Sequence, residues 1–168
     1  MRFIVFVGVL ALTAFHSSRA FTNEPRNFVT ALSGRDEVPA RDTRARGVAI
    51  FHLSADGSEL AYKLIVANIE NVFASHIHLA PEGVNGPIVV PLYGPAAPGG
   101  GRIEGPIAQG VITADDLTGP LAGQNLSALI EAIEAGNAYV NVHTNDGVDP
   151  ANTGPGDFPG GEIRGQLK

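Results

Sequence analysis

Short runs in which apolar and polar residues alternate recur along the chain, and they predict β-strands because strand side chains point to opposite faces in turn. Such runs cover residues 28–32, 47–53, 60–66, 73–79, 87–92, 105–112, 139–143 and 162–167. Asp56-Gly57 lies between the second and third runs, where it predicts a tight hairpin. Prolines bound the run at 87–92, which suits an edge strand, since proline cannot donate to a ladder. Helical spacing is clear at one place: Leu126, Leu129, Ile130 and Ile133 fall at i, i+3, i+4 and i+7, and Gly136 follows as a stop. Thr113 and Asp116 have the spacing of a short helical cap. The expected fold is all-β: an antiparallel Greek-key-like β-sandwich or flattened barrel of about seven to nine strands, with one short inserted helix near residues 126–135. Its expected core is Val29, Ile50 or Phe51, Leu64, Val66, Ile77, Val89, Val140, Val142 and Ile163.

Composition refines this picture. The 21 glycines and 12 prolines fall mostly between the apolar runs, as turns require. The first twenty residues stand apart. Arg2 is followed by an apolar stretch over residues 3–15, and Ser18-Arg19-Ala20 puts small residues where a signal peptidase reads. Residues 1–20 are therefore expected to be a cleaved secretory signal, and the product secreted, extracellular or periplasmic. The remaining 148 residues suit one domain. Loss of Arg2 and Arg19 leaves nine bases against seventeen acids, a formal charge of −8. That charge disfavours nucleic acid and anionic membrane as partners. The chain has no cysteine, so neither disulfides nor thiolate metal sites can form.

Three histidines carry the candidate chemistry. His76 and His78 are two apart in one predicted strand and share a face, opposite Ile77. His143 shares a face with Asn141 in another, opposite Val140 and Val142. If the aliphatic residues face the core, all three imidazoles point away from it, toward a surface that loops can close. Three neutral imidazoles suit copper first; zinc is the second choice. Asp146, Asp149 and Asp157, in the turn-rich segment 145–161, are candidates for a further donor. His52 reads as a surface or rim residue. Residues 145–149 lack the spacing and distal glutamate of an EF-hand and read as turn. Asn125-Leu126-Ser127 is a glycosylation sequon, and Asn125 also suits a helix cap. There is no recognisable catalytic triad, nucleotide-binding glycine loop or paired catalytic carboxylates.

Five segments in order resemble the CHRD domain, a module named after chordin. They are Leu32-Ser33-Gly34 with Glu37-Val38-Pro39, Ala74-Ser75-His76-Ile77-His78, Gly83-Val84-Asn85-Gly86-Pro87-Ile88-Val89, Tyr139-Val140-Asn141-Val142-His143-Thr144, and Gly160-Gly161-Glu162-Ile163-Arg164-Gly165-Gln166-Leu167. The resemblance implies a CHRD domain over residues 28–168. The family in turn is distantly similar to copper–zinc superoxide dismutases, whose sandwich carries a His-x-His strand and a later histidine as copper ligands. His76, His78 and His143 match that set in type and order. The bridging and zinc-loop histidines have no counterpart, and Glu162 falls near the place of an arginine that attracts superoxide. The resemblance thus implies metal binding without dismutase activity. It allows one alternative: an extracellular module that binds a protein or glycan with no metal.

Overall fold

The computed structural model describes residues 26–168; the signal expected over residues 1–20 lies outside them. Eight strands are formed: β1 (Arg26–Ser33), β2 (Arg46–Leu53), β3 (Leu60–Glu70), β4 (Val72–Leu79), β5 (Ile88–Tyr93), β6 (Arg102–Ile112), β7 (Ala138–Thr144) and β8 (Ile163–Leu167). They make one sheet in the order β5-β4-β7-β8-β1-β2-β3-β6, and every pairing is antiparallel. The sheet curls on itself, so its two end strands approach each other. Tyr62 of β3 reaches across this seam, its hydroxyl donating to the Leu92 carbonyl of β5 at 2.8 Å. The result is the expected all-β architecture, a nearly closed flattened barrel. β5 is indeed an end strand, and Pro91 lies within it.

Each predicted run became a strand, generally one to four residues longer. The Asp56-Gly57 turn closes with Ser54 N–H donating to the Glu59 carbonyl at 2.8 Å. The helix α1 (Leu126–Glu134) buries Leu126, Leu129, Ile130 and Ile133, as their spacing predicts. Asn125 stands at its N-cap position without a side-chain cap bond. Thr113 and Asp116 bracket only a short 3-10 turn, with the Thr113 N–H and hydroxyl donating to the Asp116 carboxylate at 2.8 and 2.9 Å.

One core expectation needs correction, and one open pair is decided. Val29 is 61 % exposed, and β1 instead buries Phe28, Thr30 and Leu32. Of the pair Ile50 or Phe51, Phe51 is buried and Ile50 faces out. Both follow from one register: Phe28 pairs with Phe51 and Val29 with Ile50, so two large rings go in together and two aliphatic residues go out. A one-residue shift of phase exchanges every face, and adjacent apolar residues leave that phase open in the sequence. Leu64, Val66, Ile77, Val89, Val140, Val142 and Ile163 are all core.

Candidate metal centre

Period-two geometry builds the site. With Ile77 wholly buried inside the barrel, His76 and His78 project from the opposite face of β4. β7 lies beside β4 with Val140 and Val142 inward and Tyr139, Asn141 and His143 outward. The register sets His76 opposite Asn141, His78 opposite Tyr139, and Ala74 opposite His143. The small side chain of Ala74 leaves room for the His143 ring to lean toward the other two.

The three imidazoles converge. One ring nitrogen from each of His76, His78 and His143 lies within 4.8 Å of the other two. Ring centroids are 4.9 Å apart for His76 and His143, 5.6 Å for His76 and His78, and 6.0 Å for His78 and His143. His143 Nδ1 lies 2.9 Å from the Pro159 carbonyl, and His78 Nδ1 lies 2.8 Å from the Gly86 carbonyl. A carbonyl only accepts, so both Nδ1 atoms carry the hydrogen and both Nε2 atoms present a lone pair. Anchoring one ring nitrogen so that the other is free is how proteins orient metal-binding histidines. His76 Nδ1 is 3.1 Å from His143 Nε2 and donates to its lone pair.

Electrostatics keep the rings neutral. Burial lowers the pKa of His76 to about 4, helped by the charges that His143 and His78 would carry. Burial likewise lowers His143 to about 4, against the pull of the Pro159 carbonyl. His78 is lowered by burial and, less strongly, by the Arg164 charge, while Gly86 and Asn141 oppose the shift. A cluster that resists protons keeps its lone pairs available for a cation.

Two loops cover this face. Arg164, only 1 % exposed, donates to the carbonyl of Val84 at 2.9 Å, that of Pro81 at 3.3 Å and Asn85 Oδ1 at 3.2 Å. Its guanidinium lies 3.4 Å over the Tyr139 ring, which stacks on His78 at 4.9 Å and 10°. Tyr139 also accepts the Gly86 N–H, so one stack fixes both His78 and the carbonyl that anchors it. Gly86 itself admits no side chain, because a Cβ would come within 2.0 Å of the Leu79 carbonyl. The segment after β7 is held by Glu162, wholly buried, which accepts from Thr43, Thr144 and the Gly156 N–H.

Of the sequence candidates, the structure brings His76, His78 and His143 together and leaves the others out. His52 is exposed on β2, 2.6 Å from Asn27 Oδ1. Asp146 accepts the Val148 N–H at 2.8 Å, a turn contact, and Asp149 is exposed. Asp157 is buried but spends one oxygen on Thr153 and is not in the histidine group. Sequence reasoning missed Glu37, Tyr139 and Arg164. Glu37 is only 5 % exposed, and burial raises its pKa to about 7 despite the nearby Arg164 and Arg41. The polar residues at period two in the last two strands were the available signal.

A family model for the CHRD domain matches residues 28–167. The chain belongs to the CHRD family. No curated protein and no solved structure matches it. The CHRD match runs from β1 to the end of β8, so the histidine cluster and both covering loops lie inside the CHRD domain. Among the described residues no helix is long and apolar enough to cross a membrane.

Proposed function

We propose that this CHRD domain is a secreted metal-binding module that holds or delivers a copper ion on His76, His78 and His143, with zinc as the second choice. The observation that carries the reading is the convergence of three ring nitrogens within 4.8 Å, two of them on rings oriented by backbone carbonyls. Neutral nitrogen donors without thiolate or carboxylate suit copper in either oxidation state. The lowered pKa values of His76 and His143 mean that protons compete weakly. Copper should therefore persist below pH 6.5 and be lost as the pH nears 4.

Metal analysis of the protein secreted without added metal tests the reading, followed by copper titration of the three single alanine variants. Copper bound at one equivalent, and weakened strongly by each substitution but not by His52→Ala, is the expected result. A specific observation favours a second reading, the metal-free extracellular interaction module. Val29, Val48, Ile50 and Val111 are 61, 36, 38 and 51 % exposed on the outer face of β1, β2 and β6, apolar side chains a protein partner can cover. Equal copper affinity in wild type and triple alanine variant would move the conclusion there.

A further inference from the structure

One buried oxygen beside the three histidines has no assigned role. Asn141 stands on the outward face of β7 between Tyr139 and His143, paired across the sheet with His76. Only 3 % of the residue is exposed. Its Oδ1 has no hydrogen-bond partner among the described residues, and neither have the nearby His78 Nε2 and Glu37 Oε1. Buried polar atoms are nearly always paired, so the orphaned Asn141 oxygen and His78 nitrogen on one sheet face point to a shared electrophilic partner.

Asn141 Nδ2 and Glu37 Oε1 both border Gly161: a Cβ at that position would lie 3.0 Å from the amide nitrogen and 2.4 Å from the carboxylate oxygen. The amide nitrogen is therefore turned toward Gly161, and Oδ1 away from it.

We propose that Asn141 Oδ1 is the fourth ligand of the ion held by His76, His78 and His143. The proposal rests on the three-histidine reading. It replaces the aspartates of segment 145–161 with a donor already on the same sheet face, whose geometry needs no loop movement. It also bears on what the site does. Three nitrogens and one oxygen, all from the protein, make a closed four-coordinate site, the type that holds an ion rather than turning over a substrate.

The test uses the full chain, copper(II) titration and electron paramagnetic resonance. Wild type should give the spectrum of three nitrogens and one oxygen. Asn141→Leu, close in shape, should bind about 10- to 100-fold more weakly and lose the oxygen signature. Asn141→Asp covers the case in which the leucine variant does not fold: an anionic oxygen in place of a neutral one shifts the spectrum only if this atom ligates. Wild-type affinity and an unchanged spectrum in the Asn141 variants would overturn the fourth ligand while leaving the three histidines standing. Failure of wild type itself to bind copper would overturn both this proposal and the reading beneath it.

Discussion

The two halves of the curled sheet obey different rules. In the half made of β1, β2, β3 and β6, one face is buried and the other meets solvent. β2 shows this without exception: Gly47, Ala49, Phe51 and Leu53 are inside, Arg46, Val48, Ile50 and His52 outside. In the other half β7 is buried along its whole length. Its inner face packs on the core, and its outer face lies under loops with Tyr139, Asn141 and His143 beside Arg164 and Glu162. Burying polar groups costs stability unless each finds a partner. The strands β4, β7 and β8 carry most of this cost, and β1 adds only Thr30 and Ser33.

Substitutions should expose the difference, beginning with Arg164. Removing this buried cation breaks bonds to two loop carbonyls and Asn85 and unstacks Tyr139. Arg164→Met is expected to cost about 3–5 kcal/mol in urea unfolding, whereas Arg44→Met, on an exposed loop, should stay within about 0.5 kcal/mol. A small loss at Arg164 would mean that the covering loops do not depend on it.

Glu37 gives a smaller effect that depends on pH. Burial raises its pKa in the folded protein to about 7 from the ordinary 4.5. An acid shifted upward releases its proton more readily when unfolded, so its contribution is intact below 4.5 and is lost as pH rises through 7. Glu37→Gln in the metal-free protein should therefore be neutral at pH 4.5 and stabilising by about 2–3 kcal/mol at pH 8. Thermal melts at the two pH values measure this, and a gain at pH 4.5 equal to that at pH 8 would contradict the assignment. The smallest effect belongs to the solvent-facing half. Val29→Thr should change stability by less than about 0.5 kcal/mol, while Phe51→Ala on the inner face should cost about 3–5 kcal/mol.

The same division explains what was legible in the sequence. Alternation in 47–53 and 60–66, the helical spacing of Leu126 to Ile133 and the Asp56-Gly57 turn were all readable, because one solvated face leaves a periodic trace. Where Phe28 and Val29 are adjacent, the period survives but its phase does not, and the exposed residue was taken for core. The histidines were legible for the same reason: period two placed them opposite Ile77, Val140 and Val142. Their partners were not. Gly86 and Pro159 act through backbone carbonyls, which no residue type announces, and Glu37 reaches Asn141 only through the folding of β1, β7 and β8 into one sheet. Contacts between residues more than a hundred positions apart follow from topology, not from local pattern.

The central claim is that the polar half of the sheet is built around a cation. The most direct measurement is a thermal melt at pH 7 of the wild type and of the His76→Ala, His78→Ala, His143→Ala triple variant, each with and without one equivalent of copper. An ion bound only by the folded state raises the melting temperature by mass action. Copper should raise the melting temperature of the wild type by several degrees, on the order expected for tight binding, and leave the triple variant unmoved. The same shift in both proteins, or none in the wild type, would contradict the account.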